Sequence, residues 1–248
     1  MQCSNNIKQL SLSLHNVQST AGMLPPMSCN SHAIPPEINL AFGGAKGGGN
    51  LFYWLLPYME QENLIKLHNN PSFSWTLPGE TDPGPIVNQT PKPFLCPSDA
   101  TNNPVQVWGG GWAVGNYVAN YQVFAPNNVA NSNANLASSF PDGTSNTIVF
   151  AEKIARCQGI SPLWGHGSWD LNWMPAFMTW IEQGPNIGFQ VTPTKAQCDR
   201  FKASSSHSAG MNIGLADGSV RFIGQSMSPT TFWQACTPDG GEVLGSDW

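Results

Sequence analysis

The sequence predicts an α+β fold, an N-terminal amphipathic helix packed on an antiparallel sheet with long loop insertions. Two observations lead there. Apolar residues near the start recur at helical spacing, and the second half carries short β-rich runs separated by turn residues. The abundance of turn formers, 25 Gly and 21 Pro in 248 residues, points the same way, to many turns rather than long helices. The helix comes first. Cys3, Ile7, Leu10, Leu14 and Val17 are spaced 4, 3, 4 and 3, which sets one stripe on one face. Asn5, Lys8, Gln9, Ser11, Asn16 and Gln18 lie off it, and Gly22 with Pro25 and Pro26 stops it. No N-terminal stop signal precedes the stripe, so residues 1–20 read as the remaining part of a helix that began upstream.

The rest follows in order. GGAKGGG at 43–49 is a loop, and it lacks the Lys-Ser/Thr ending of a phosphate loop. Residues 51–68 read as a second helix, with Pro57 bending it or marking its start. The Pro- and Gly-rich stretch 71–93 is an extended excursion, and FLC at 94–96 a short buried strand turned by Pro97-Ser98-Asp99. Residues 107–124 alternate aromatic and small residues, as a hairpin or paired strands would, and 126–139 form an Asn/Ala/Ser loop. Asp142-Gly143 turns into the strand 147–152. Last come 211–216 and 219–224 around Asp217-Gly218, the strongest hairpin signal in the chain, expected as a two-residue type I′ turn. No internal repeat is present, and 1–248 reads as a single globular domain in which 204–248 form the hairpin and tail.

Composition excludes several classes. Charged residues are only 10%, against roughly 25% in an ordinary soluble domain. The net charge of −5 with 10 Lys plus Arg leaves no basic stripe, which argues against a nucleic-acid partner. No apolar run approaches the roughly 18 residues of a membrane span, so the chain reads as soluble. The six cysteines, at 3, 29, 96, 157, 198 and 236, include no CxxC, which excludes zinc ribbons and thioredoxin-type motifs. An even count in a loop-rich chain fits disulfides and an oxidising compartment, with the pairing left open by spacing.

Blocks spread over the chain resemble a known family. CSNNIKQLSLSLHN (3–16), FYWLLPYMEQ (52–61), FLCPSD (94–99), GNYVANY (115–121), DGTSNTIVFAEK (142–153) and CTPDGGEV (236–243) are similar to segments of planctomycete prepilin-like proteins, related to type IV pilins and type II secretion pseudopilins. Most specific is SSSHSAGMNIGLADGSVRFI (204–223), in which His207, Asp217 and Gly218 match the His-x9-Asp-Gly signature. The resemblance implies a pilin-like fold and, ahead of residue 1, a signal, a cleavage site and an apolar helix of about 20 residues. It also implies that Cys3 and Cys96, carried together by the family's blocks, form a disulfide. Some members are labelled solute-binding.

Neither GxSxG nor HExxH occurs, and no pair among His15, His32, His68, His166 and His207 has helical metal spacing. His207 lies beside Ser204, Ser205 and Ser206 and upstream of Asp217, a set that suggests a triad only if geometry assembles it. The reading adopted is structural: no catalytic residues, Asp217 as a turn residue, and His207 tying the start of the hairpin to a neighbouring loop. No cofactor is predicted. Calcium is left open at the turn aspartates Asp142, Asp217 and Asp239, as related pseudopilins carry a C-terminal calcium loop, but no EF-hand frame is present. Trp164, Trp169, Trp173 and Trp180 could fill the core, form a subunit interface or stack against a ligand.

The expectation for function is a non-catalytic, extracytoplasmic structural subunit of a type IV pilus-like or pseudopilus-like assembly. Its partners would be copies of itself or other pilin-like subunits. It would sit in the periplasm or on the cell surface, anchored in the inner membrane in full-length form. The alternative is a membrane-tethered solute- or glycan-binding module that uses the Trp-rich segment 164–180.

Overall fold

The computed structural model describes residues 1–29, 49–66, 88–102, 112–128, 134–167 and 170–248. Helix α1 runs Gln2–Ala21 and buries the whole predicted stripe, Cys3, Ile7, Leu10, Leu14 and Val17, together with Asn6, Ser11 and Ser13. It ends at Gly22, whose φ of 74° is left-handed and whose N–H bonds the Gln18 carbonyl at 2.9 Å. Glycine takes that conformation without a Cβ penalty.

Strands β1 (Ser28–Cys29) and β2 (Gly49–Asn50) pair antiparallel, and Asn50 caps α2 (Leu51–Leu55) by accepting the Tyr53 N–H. The single helix expected over 51–68 is broken. After α2 come a 3-10 turn at Leu56–Met59 and a short α3 (Glu62–Ile65). Pro57 supplies no N–H to the ladder, and Glu60 turns left-handed at φ 59°. Residues 67–68, most of the 71–93 excursion and most of the 43–49 loop lie outside the described residues.

FLC at 94–96 is not a strand. Lys92–Phe94 form a 3-10 turn, and the Cys96 N–H goes to the Asn116 side chain (2.9 Å) rather than to a sheet neighbour. The 107–124 segment contributes one strand to the described structure, paired far along the chain. Residues 107–111 lie outside the described set, and β3 (Tyr117–Asn120) finds its partners farther along the chain. Asn120 then accepts the Gln122 N–H and turns the backbone into α4 (Tyr121–Phe124).

Strands β4 (Ile148–Glu152), β5 (Ala176–Phe177), β6 (Gln190–Val191), β7 (Ser204–Ser205), β8 (Gly210–Leu215) and β9 (Val220–Gly224) follow, and α5 (Pro229–Gln234) closes the domain. The main sheet has the order β5-β3-β4-β8-β9 and is antiparallel except for β3 with β5. The architecture is therefore α+β, a helix on an antiparallel-rich sheet.

The central strands β3, β4 and β8 are buried on both faces. Tyr117, Ala119, Phe150 and Ala216 join the core beneath α1. Val118, Ile148, Ala151, Met211, Ile213 and Leu215 form a second core with Phe177, Met178, Phe232 and Ala235. The small residues of β8 are thus a helix-docking face. A Cβ on Gly214 would run into Ser11 Oγ and Ile7 Cγ2 of α1.

The hairpin is where the sequence put it, with a different turn. Leu215 N–H bonds Ser219 O (2.9 Å) and Gly218 N–H bonds Leu215 O (3.0 Å), enclosing a three-residue loop. Gly218 is left-handed at φ 84°, whereas Asp217 has no positive φ. This is the geometry of a type I turn closed by a glycine bulge, not of a type I′ turn. Helix α1 covers the loop: Lys8 Nζ donates to Gly218 O (2.7 Å), and His15 Nε2 lies 3.0 Å from Ala216 O.

Candidate functional site

Residues from five of the seven sequence blocks, Cys3, Cys96, Tyr117, Glu152 and His207, meet at one end of β4. Glu152 closes that strand and is buried at 3% exposure. An isolated buried carboxylate is expensive, so its oxygens need donors. Oε1 accepts from His207 Nε2 and from Asn212 Nδ2, both at 3.0 Å. Oε2 accepts from Ser205 Oγ at 3.0 Å and from the Asn212 backbone N–H at 2.9 Å. The signature His207 therefore reaches across to a strand end rather than to a loop. Its own N–H is held by Ser205 Oγ at 3.0 Å.

Against this pair lies the Cys3–Cys96 disulfide, with a Cα–Cα distance of 5.0 Å across a sequence separation of 93. It is the pairing the resemblance implied, and closing so long a loop is worth on the order of 4 kcal/mol in the chain-entropy account. Cys96 Sγ is 3.8 Å from His207 Nε2 and 4.0 Å from Glu152 Oε1. Sγ of both cysteines, a Glu152 oxygen and a His207 nitrogen all lie within 4.8 Å of one another.

The surroundings are equally fixed. Asn6 of α1 donates to Leu95 O (2.8 Å) and Tyr117 Oη (3.2 Å). Tyr117 donates to Cys3 O at 3.4 Å. Burial drives the Tyr117 phenol well above its usual pKa, and the Glu152 charge adds to the effect. Asp99 accepts from Thr101 N–H and Oγ1 (2.9 and 2.7 Å), Asn116 Nδ2 (2.6 Å) and Ala155 N–H (2.7 Å). Beyond β4, the Lys153 ammonium is buried with Nζ donating to Ala176 O (3.2 Å), and burial lowers its pKa to about 8 against the opposing pull of Asp199. A second disulfide, Cys157–Cys198, stands nearby, and Cys236 is a buried thiol whose pKa burial raises.

The other sequence candidates fall elsewhere. Asp217 accepts the Ser219 N–H (2.8 Å) in the hairpin loop, beside Gly218. Asp142 holds the Gly241 N–H (3.0 Å), and Asp239 lines a separate groove of about 280 Å³ with Gln122 and Thr237. These three carboxylates are not gathered into one ligand set. The described tryptophans of this segment, Trp164, Trp173 and Trp180, differ in their surroundings. Trp164 is buried with Nε1 bonded to Gln89 O (2.8 Å), and Trp173 packs against the core. Trp180 is 40% exposed on the ring of Tyr121, and Trp169 lies outside the described residues.

In this cluster the donors of Ser205, His207 and Asn212 all converge on the Glu152 carboxylate. Ser205 donates its hydroxyl to Glu152, and the His207 ring faces the same carboxylate, so Ser, His and acid are not strung in the order of a proton relay. Sequence reasoning missed Glu152 and Asn212. Their signal was a carboxylate ending an apolar strand and an amide inside another.

Fold and site together define the class: an α+β domain whose N-terminal helix packs on an antiparallel-rich sheet and is tied by a cystine to a turn beside a buried Glu–His pair. Residues 1–230 match the profile of a family described as "Protein of unknown function (DUF1559)", and the chain belongs to that family. No curated protein and no solved structure matches the chain.

Proposed function

We propose that the chain is a non-catalytic, extracytoplasmic structural subunit of a type IV pilus-like or pseudopilus-like assembly. One observation carries this reading: α1 lies along the sheet, bonded to Tyr117 of β3 through Asn6 and to the β8–β9 loop through Lys8, and is tied covalently to the turn after Phe94 by Cys3–Cys96. A helix so held presents its other face, with Leu12 43% exposed, as a rigid surface for neighbouring subunits. The two disulfides suit an oxidising compartment. No helix among the described residues is long and apolar enough to cross a membrane, so an inner-membrane anchor would have to come from outside them. The saturated Glu152 carboxylate favours a structural over a catalytic role. Electron microscopy of the full-length native protein tests the proposal. Filaments that carry this domain are expected, and uniformly dispersed monomers in the native membrane would overturn it.

A second reading, a tethered solute- or glycan-binding module, draws on a different feature from the Trp segment. A groove of about 250 Å³ gathers Ser98, Thr101, Arg156, Lys195 and Ser206. Concave sites with convergent polar groups are where small ligands bind. Saturable binding of an acidic sugar, lost in Lys195→Ala, would favour this reading over the first.

A further inference from the structure

We infer that Cys3, Cys96, Glu152 and His207 form a second, mutually exclusive state: a four-ligand site for a thiophilic divalent cation of the zinc type, open only when the Cys3–Cys96 disulfide is reduced. The four side chains come from α1, the turn after Phe94, the end of β4 and the segment after β7, so the fold rather than local sequence assembles them. Three of them, Cys3, Cys96 and Glu152, are buried, and His207 is partly so.

The distances decide in favour of a tetrahedral ion. Zinc bonds of about 2.3 Å to sulfur and 2.0–2.2 Å to nitrogen and oxygen place N and O about 3.4 Å apart, and S about 3.6 Å from either. The corresponding separations are 3.0 Å for His207 Nε2 to Glu152 Oε1, 3.8 Å for Cys96 Sγ to His207 Nε2 and 4.0 Å for Cys96 Sγ to Glu152 Oε1. Each lies within a few tenths of an ångström of the tetrahedral value. The two sulfurs must part to about 3.8 Å, which breaking their bond allows, and Cys3 Sγ, within 4.8 Å of the other ligand atoms, must settle about 3.6 Å from His207 and Glu152. Two thiolates, an imidazole and a carboxylate select zinc over calcium or magnesium. Outer partners are already in place. Asn212 and Ser205 orient the carboxylate, and Ser98 Oγ lies 3.7 Å from Cys3 Sγ.

The chemistry balances with a dithiol as reductant. It gives two electrons and two protons to the cystine and itself becomes a disulfide, leaving Cys3 and Cys96 as thiols. Cation binding expels both thiol protons. His207 moves its remaining proton to Nδ1 and presents a bare Nε2, while Glu152 exchanges the His207 hydrogen bond for the ion.

Cobalt(II) and zinc(II) are the probes. The chain is reduced with a dithiol, freed of reductant under argon and titrated with cobalt(II), and folding is followed by circular dichroism. Expected is one equivalent bound, with the intense visible absorption of tetrahedral cobalt thiolate, displaced by zinc(II) and absent from the oxidised chain. Cys3→Ser and His207→Gln should each lose affinity by at least the roughly 10–100-fold that follows loss of an outer-shell partner, whereas Cys157→Ser should keep the signal. Should reduction unfold the chain, cobalt must restore the fold together with the absorption. Zinc should also slow reoxidation of Cys3 and Cys96, read by thiol mapping. A reduced chain, folded or not, that gives no stoichiometric cobalt signal would overturn the inference. So would a signal unchanged in both Cys3→Ser and His207→Gln.

Discussion

His207 Nε2 donates to Glu152 Oε1 across 3.0 Å, joining the first residue of the His-x9-Asp-Gly signature to the end of the strand that begins after Asp142-Gly143. The other end of the signature, Asp217-Gly218, turns beneath α1, where Lys8 holds the Gly218 carbonyl. The nine intervening residues include all of β8. Signature and helix are thereby parts of one packing unit.

Glu152 is the most exacting position in that unit. Glu152→Gln keeps the shape but turns an acceptor into a donor opposite the Ser205 hydroxyl and the Asn212 N–H. A loss of about 2–4 kcal/mol is expected, since buried polar groups left without partners carry their full desolvation penalty. Ser205→Ala should cost nearer 1 kcal/mol. Urea unfolding of the oxidised proteins measures both.

Gly218 and Gly214 test how α1 is seated. Gly218→Val forces a β-branched residue to φ 84° and brings a Cβ within 3.3 Å of His15 and Leu12, for a loss of roughly 1–3 kcal/mol. Gly214→Val should do more, because its added carbon meets Ser11 and Ile7 directly. Leu14→Asp, which places a charge at a fully buried site, should cost several kcal/mol and unfold or aggregate the domain. An unchanged thermal midpoint in Leu14→Asp would contradict the stripe as core.

Acid should destabilise the domain through His166. Burial lowers its pKa from 6.5 to about 4, with the Gly167 carbonyl and Asp170 opposing. Between those values the unfolded chain binds the extra proton and the folded chain does not. Stability is therefore full above pH 6.5 and is lost as pH falls toward 4, by on the order of 3 kcal/mol. His166→Asn should flatten the profile over that window. An identical slope in the variant would assign the acid loss to other groups.

The disulfides have a direct count. With Cys3–Cys96 and Cys157–Cys198 formed, no more than two of the six cysteines should react with a thiol reagent in denaturant without reductant. Six reactive thiols in the unreduced protein would contradict both bridges.

How far the sequence could be read divides by range. Helix α1 was legible because its stripe repeats over five buried positions, and the β8–β9 hairpin because turn and alternation agree. What failed was local structure decided by distant partners. The 94–96 segment gives its amide to Asn116 rather than to a sheet, and Asn120, which caps residues 121–124, is itself held by the Ile148 and Cys236 carbonyls. The turn type was misjudged because a dipeptide does not set loop length. His207 stood out in the sequence through the His-x9-Asp-Gly pattern, but its partner did not. Glu152 lies 55 positions away, and no local pattern joins them.

The structural account of the signature stands or falls on His207→Ala. Amide hydrogen exchange of the oxidised wild type and variant, run beside an unfolding curve, reads it directly. The account predicts that protection drops together in α1 and β8, with a lower unfolding midpoint. Exchange and midpoint unchanged, alongside loss of a measurable hydrolytic or ligand-binding activity, would contradict it and make the cluster an active site.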